Sequence, residues 1–165
     1  MDILHTVCNT LIEEFSDIPD AAQFTRISMR LLLAALLGGV LGYERESKGK
    51  AAGLRTHMLV ALGAAFFVLI PQQAGASAAD MTRIVQGVIV GIGFLGAGAI
   101  IKLIEQQETK GLTTAASIWL TAAIGVAAGF GREASALLGA AIALIILALL
   151  PRIEHLIYNQ GDRGS

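Results

Sequence analysis

The chain has few charged, aromatic or sulfur-containing residues. Of its 165 residues 15% are charged and 5% are aromatic, and the net charge is −1 at pH 7. No basic surface for nucleic acid is therefore expected. Cys8 is the only cysteine, which excludes an intrachain disulfide and a cysteine-based metal site. The first residues are acidic and lack a basic start, so no cleavable signal peptide is expected.

Recognisable catalytic groupings are also absent from the sequence. It contains no phosphate-binding loop and no cluster of metal ligands, and Ser117 has no histidine near it in sequence to activate it. The letters Gly91-Ile-Gly-Phe-Leu-Gly96 match a dinucleotide-binding turn, but no βαβ pattern surrounds them. We therefore predict that the protein is not an enzyme and binds no cofactor.

Long hydrophobic runs dominate the sequence instead. Hydrophobic residues make up 55% of the chain, and five runs of sixteen to eighteen residues are separated by short charged gaps. Lipid cannot satisfy backbone hydrogen bonds, so such runs must form membrane-spanning helices. We predict an all-α, polytopic bundle of five transmembrane helices in the lipid bilayer. The runs are approximately Ile27–Gly42, Met58–Ala74, Ile84–Ile101, Thr113–Phe130 and Ala134–Leu150.

The sequence divides into three parts. Residues 1–25 form an N-terminal segment with an amphipathic helix, residues 26–151 the transmembrane domain, and residues 152–165 a short tail. In the first part Ile3, Leu4, Val7 and Leu11 share one helical face. This helix is expected to lie on the membrane surface or to cover the bundle, or alternatively to form a dimer contact.

The distribution of basic residues predicts the orientation. The first and third loops and the C-terminus hold eight Lys or Arg residues, whereas the N-terminal part and the other two loops hold four. The positive-inside rule therefore predicts a multi-pass inner-membrane protein with its N-terminus outside and its C-terminus in the cytoplasm. Dual orientation is the alternative.

Nineteen glycines predict how the helices pack. In lipid, helices associate where small residues allow their backbones to approach closely. The third span is the richest in glycine, so we expect it at the centre of the bundle, although clustered glycines could also let a helix unwind around an ion. A homodimer is the expected assembly. The glycines assigned to helix packing are Gly38, Gly42, Gly91, Gly93, Gly96, Gly98, Gly125 and Gly129.

With this topology, polar residues gather at the cytoplasmic ends of the first, second and fourth spans. Thr56 and either Thr113 or Thr114 are candidate N-caps, and Glu44 is a natural partner for Arg55 or for the helix N-termini. The group is either structural ion pairing and capping or a functional pocket. Its members are Glu44, Arg45, Arg55, Thr56, His57, Thr113, Thr114 and Trp119, of which Trp119 is expected in a buried contact or in a pocket wall.

A second polar pair lies on the outer side. Asp80 and Arg83 are three residues apart at the start of the third span, where Asp80 suits a cap or first-turn position and Arg83 can pair with it. Hard cations favour several oxygen ligands, and a single carboxylate does not supply them. No metal site is predicted.

Several of these segments resemble the MgtC/SapB family of bacterial inner-membrane proteins. They are Gly38-Gly-Val-Leu-Gly-Tyr-Glu-Arg45, Ala52-Gly-Leu-Arg-Thr-His57, Asp80 with Arg83, Gly91-Ile-Gly-Phe-Leu-Gly-Ala-Gly98, and Gly111 through Gly125. The resemblance covers roughly residues 26–131. It implies that the polar residues named above, with Gly93 and Gly96, are signature positions. It also implies a role in adaptation to low magnesium and, in some pathogens, in survival inside host cells.

Two functions remain open at this point. The first is a non-catalytic modulator that binds another inner-membrane protein through glycine-lined helix faces. The alternative is a small oligomeric channel or transporter for Mg²⁺, protons or another small solute, with Glu44, Arg55 and Asp80 along its path.

Overall fold

The computed structural model describes residues 3–14, 16, 18, 20–104 and 111–161, and within these ranges α-helix is the only regular secondary structure. Five of the helices are long and apolar enough to span a membrane, which confirms the predicted all-α architecture and the five spans. The six helices are α1 (Ile3–Glu14), α2 (Ala21–Ser47), α3 (Leu54–Gln73), α4 (Ala78–Ile104), α5 (Leu112–Gly129) and α6 (Glu133–Gly161).

The helices extend beyond the apolar runs at several ends. α2 begins at Ala21 because the Asp20 carboxylate accepts a hydrogen bond from the Gln23 amide at 2.7 Å, as an N-cap does. α6 remains helical through Gly161, into the segment for which a tail was predicted. The length of an apolar run indicates which residues lie in the lipid, whereas capping and backbone hydrogen bonds decide where the helix ends.

α1 is amphipathic but covers nothing. None of its residues is buried, and Ile3 is 86% exposed. Of the expected positions for this helix, a place over the bundle is therefore excluded within the single chain. Its apolar face is free to lie in the membrane interface.

The chain passes back and forth, so that helix ends collect in two layers. The C-terminus of α2 and the N-termini of α3 and α5 meet at one end, here called the Glu44 end. The opposite end, which holds the C-termini of α3 and α5 and the N-terminus of α6, is called the Arg30 end.

α5 is the central helix of the bundle. Half of the residues in its membrane span are buried, against 6% of those in α4, and α5 contacts α2, α3, α4 and α6. The prediction that the glycine-rich third span occupies the centre is therefore wrong for the single chain. Glycine content shows that a helix can be approached closely, but it does not show which molecule approaches it.

Two glycine pairs bring α2 and α5 into close contact with α3. A Cβ atom added at Gly38 would lie 2.5 Å from the His57 carbonyl oxygen, and one at Gly125 would lie 2.8 Å from Ala61 Cα. Gly42 and Gly129 repeat these approaches one turn further along their helices, against Leu54 and Ala65. The backbone of α3 thus nearly touches two helices, which also contact each other, as expected for packing through small residues.

The glycines of α4 behave differently. A Cβ atom at Gly91, Gly93 or Gly98 would meet nothing within 4 Å, and one at Gly96 would make only an ordinary contact with Ala115. The helix-packing role predicted for Gly91, Gly93 and Gly98 is therefore not realised inside the chain. α4 is also helical without interruption from Ala78 to Ile104, so its backbone carbonyls are not released to an ion.

Candidate functional site

Five polar side chains are buried between the Glu44 end and the middle of the bundle. Arg45 is 2% exposed and His57 is 0% exposed. Polar groups in lipid are expensive unless they are paired, so a group of this kind marks either a specific structural device or a functional site. The five residues, here called the buried cluster, are Arg45, His57, Thr114, Ser117 and Thr121.

His57 links α3 to α5. Its Nδ1 lies 2.9 Å from the Gly53 carbonyl oxygen, which can only accept, so Nδ1 carries a hydrogen and donates it. Its Nε2 lies 3.2 Å from the Ser117 hydroxyl oxygen, across 60 positions of sequence. The imidazole is thereby held at both nitrogens.

The Ser117 hydroxyl has two possible acceptors. It lies 2.8 Å from the Thr114 carbonyl oxygen as well as near the His57 ring. If it donates to Thr114, the 3.2 Å contact is a hydrogen bond only when Nε2 also carries a hydrogen and the ring is charged; if it donates to Nε2, the ring is neutral. Rotation of this single hydroxyl can therefore accommodate either form of the imidazole.

No histidine lies near Ser117 in the sequence, but the fold places His57 beside it. The two residues are distant in sequence, and only the close packing of α3 on α5 at Gly125 brings them together. Both are buried, since Ser117 is 6% exposed.

An ion-paired network closes the Glu44 end. The Glu44 carboxylate accepts from Arg45 Nε at 2.5 Å and lies 2.6 Å from Lys48 Nζ. Lys48 also donates to the Leu147 carbonyl oxygen of α6 at 2.8 Å. Proline has no amide hydrogen, so Pro151 cannot donate to that carbonyl as the fourth residue along a helix normally does. Lys48 replaces the missing bond and ties the first span to the last.

A separate network lies at the Arg30 end. Arg30 Nη1 donates to the Gly129 carbonyl oxygen and to Gln72 Oε1, both at 3.3 Å, and Arg30 Nε is 3.9 Å from the Glu133 carboxylate. A cation at the C-terminus of α5 is favoured by the helix dipole. One side chain of α2 thus joins α3, α5 and α6.

Asp80 and Arg83 make their contacts at the start of their own helix, α4. The Ser77 hydroxyl accepts from the Asp80 amide at 3.2 Å and donates to the Asp80 carboxylate at 2.6 Å, as a capping residue does at the start of a helix. Arg83 lies 4.0 Å from the same carboxylate. Among the residues that the structure describes, no group of three acidic, histidine or cysteine side chains could hold a metal ion.

Comparison with known proteins assigns the sequence of this chain to one family. The model of the MgtC family matches residues 31–156, which includes the Glu44 network, His57, Asp80 and Ser117. SrpB of Synechococcus elongatus is 42% identical over 141 residues, covering 79% of this chain and 78% of SrpB. The chain belongs to the MgtC family.

Other members of the MgtC family are longer than this chain. YhiD of Escherichia coli K12, named as a candidate magnesium transporter, is 39% identical over 81% of this chain, which spans 64% of YhiD. MgtC of Brucella abortus is 41% identical over 80% of this chain, which spans 55% of that protein. No solved structure matches significantly.

Not all residues suggested by the MgtC resemblance meet at one place. Glu44, Arg45, His57 and Thr114 lie at or near the buried cluster, whereas Arg55, Thr56 and Thr113 are exposed. Trp119 is 48% exposed and faces α4, where it lines a cavity of about 120 Å³. It therefore lies outside the buried cluster, because its position on α5 is rotated away from Ser117.

In this MgtC-family chain the helix caps and the partners of Glu44 also differ from those predicted from the sequence. α3 and α5 begin after Gly53 and Gly111, neither of which provides a side-chain cap, so Thr56 and Thr113 lie inside the helices. The Glu46 carboxylate accepts from the Leu54 amide at 2.7 Å instead. Glu44 pairs with Arg45 and Lys48 rather than with Arg55.

Sequence reasoning did not identify Arg30, Glu46 and Lys48, which organise the two ends, or the partner of Ser117. Arg30 is a charged residue within the first apolar run, and an intramembrane charge is by itself a signal. Pro151 has no amide hydrogen, so the sequence indicates that the Leu147 carbonyl needs another donor, and a nearby lysine such as Lys48 could have been suspected. Glu46 and Ser117 have no such signal, since their partners are set by the fold.

Proposed function

We propose that this chain is a non-catalytic inner-membrane protein that modulates another membrane protein in bacterial magnesium homeostasis. Its membership in a family with a relative named as a candidate magnesium transporter supports the link to magnesium. The proposed orientation places the N-terminus outside and the Glu44 end at the cytoplasm, as the charge bias favours.

The observation that carries this proposal is that the buried polar residues stop halfway through the bundle. Beyond Thr121, α5 meets α3 through Gly125 and Gly129 against Ala61 and Ala65, and the Cβ distances leave no space for water or an ion. In the described part of the chain, no polar route joins the buried cluster to Arg30. The single chain in this conformation therefore offers no conduction path, which supports action by contact with another membrane protein.

The non-catalytic character rests on the surroundings of Ser117. A serine beside a histidine is the start of a nucleophilic site. Ser117 is buried, its hydroxyl has a carbonyl acceptor at 2.8 Å, and the cavity that it lines measures about 130 Å³ with almost entirely apolar walls. An acyl-transfer site needs substrate space and donors for an oxyanion.

A transporter is the competing function, and one observation favours it. His57 is a buried ionisable group in contact with the Ser117 hydroxyl, and intramembrane ionisable groups frequently serve ion movement. Conduction through such a chain would require either a second conformation or a path along the axis of an oligomer.

Ion flux in proteoliposomes distinguishes the two functions. With Mg²⁺- and pH-sensitive dyes inside the vesicles, we expect no flux above empty vesicles from protein whose α-helical circular dichroism shows that it is folded. Saturable flux that Glu44→Ala or His57→Phe abolishes, with Leu138→Ala on the lipid-facing surface as the unaffected control, would establish a transporter. Recovery of only the chain itself in pull-downs from solubilised membranes would contradict the modulator function.

The orientation can be tested with the single cysteine. Cys8 is exposed on α1, so we expect a membrane-impermeant maleimide to label it in intact spheroplasts. The matched control is a Cys8→Ser, Arg55→Cys variant, whose thiol at the Glu44 end should react only after permeabilisation. Labelling of both thiols in intact cells would indicate dual orientation.

A further inference from the structure

A groove runs along the membrane-facing side between α3 and α4. It is partly open, measures about 580 Å³ and has almost entirely apolar walls. Leu59 and Phe67 line it from α3, and Gly87, Gly91 and Leu95 from α4. The neighbouring α4 side chains Val90 and Phe94 project outward and are 75% and 81% exposed. The surface therefore combines a recess with adjacent protruding side chains.

No described residue of the chain packs closely against the glycines of this groove. A Cβ atom at Gly63, Gly87 or Gly91 would meet no atom within 4 Å, although each glycine within a helix costs about 0.5–1 kcal/mol relative to alanine. Gly125 and Gly129, in contrast, are in close backbone contact with α3. The glycines of the groove are therefore open to close approach by a molecule outside the chain.

The charges at the N-terminal end of α4 indicate that this molecule is a second copy of the chain. Asp80 and Arg83 are 56% and 80% exposed, and their 4.0 Å separation leaves both with capacity for a second partner. In a pair related by a two-fold axis along the membrane normal, equal residues lie at equal depth and the interface is self-complementary. Asp80 and the partner's Arg83 then differ in depth by about 4.5 Å, the rise of three helical residues. The long arginine side chain can span this offset, so the two copies can form two acid–base contacts related by the symmetry axis.

We propose that the α3–α4 groove is a self-association surface on which two copies of this chain pack side by side, α4 against α4. Gly87 and Gly91 allow the two backbones to approach, and the exposed Val90 packs at the crossing, as in association through small residues four positions apart. The Asp80–Arg83 pairs set the register at the Arg30 end.

Cross-linking in native membranes tests the surface. In a Cys8→Ser background, Val90→Cys is expected to give a disulfide-linked dimer upon mild oxidation. Ile145→Cys, at the same number of residues into α6 and 54% exposed, is the control and should remain monomeric. Equal cross-linking of the two variants, or a product joined to a different protein, would overturn the proposal.

Charge reversal tests the register and separates contacts between copies from those within one helix. An Asp80→Arg chain carries two bases and an Arg83→Asp chain two acids, so each should pair poorly with itself. Co-expressed with different affinity tags, they should form mixed pairs several times more often than self-pairs. Equal frequencies of mixed and self-pairs would contradict the proposed contact.

Gly87→Leu completes the test, because its side chain enters open space in the single chain. We expect the variant to keep its helical content while the Val90→Cys cross-link falls about tenfold or more, as the loss of about 1.4 kcal/mol implies. An unchanged cross-link in this folded variant would overturn the proposal. This experiment is independent of whether the protein conducts ions.

Discussion

Gly125→Leu is expected to prevent the bundle from folding stably. A Cβ atom at this position would lie 2.8 Å from Ala61 Cα and 2.9 Å from the Ala61 carbonyl carbon, both of them backbone atoms of α3. Overpacking against side chains costs about 1–3 kcal/mol. Here the obstruction is a helix backbone that also packs against Gly38, so α3 cannot move away without disturbing α2. We expect a loss at or above the upper end of that range.

The free energy of unfolding can be measured by titration with denaturing detergent in mixed micelles, followed by helical circular dichroism. Gly93→Leu is the matched control, since it makes the same change in a helix of similar hydrophobicity, meets nothing within 4 Å and does not line the α3–α4 groove. Its unfolding midpoint should stay close to that of the wild type. Equal midpoints for Gly125→Leu and Gly93→Leu would refute the central position of α5.

Glu44→Gln should produce the second large loss of stability. Arg45 is 2% exposed and its Nε donates to the Glu44 carboxylate. Neutralising this partner leaves a buried guanidinium without its counter-charge, and breaking a buried pair in this way costs about 3–5 kcal/mol. Lys48 also loses the carboxylate at 2.6 Å, which weakens its link to α6.

The partners of this network provide their own controls. Arg45→Met should cost less than Glu44→Gln, because the Glu44 carboxylate still has Lys48 within 2.6 Å. The double variant Glu44→Gln, Arg45→Met should recover most of the lost stability, since no unpaired charge remains buried. The same unfolding titration reports all three. A double variant less stable than Glu44→Gln alone would show that Arg45 acts through other contacts.

The number and class of the helices could be predicted from the sequence. Five apolar runs in a chain with few charges leave no alternative to spanning helices, because lipid forces each segment to satisfy its own backbone hydrogen bonds. The pairs Gly38–Gly42 and Gly125–Gly129 could be recognised as close-approach sites by their spacing. Both properties are local, and a local pattern is what a sequence records directly.

The helices that use those sites could not be predicted. The densest glycine pattern lies on α4, yet α4 is at the edge and α5 at the centre. Small residues permit a close approach equally well to another helix of the chain and to a second copy. The choice depends on the order of helices around the bundle, and loop connections set that order.

The candidate site shows the same division. The sequence alone determined that Glu44, Arg45 and His57 lie near one membrane face, because each stands at the end of an apolar run. Only the tertiary structure decided that His57 meets Ser117 and that Arg30 joins three other helices. A hydrogen bond needs atoms about 3 Å apart with suitable direction, and the rotation of one helix about its axis decides which side chains satisfy that condition.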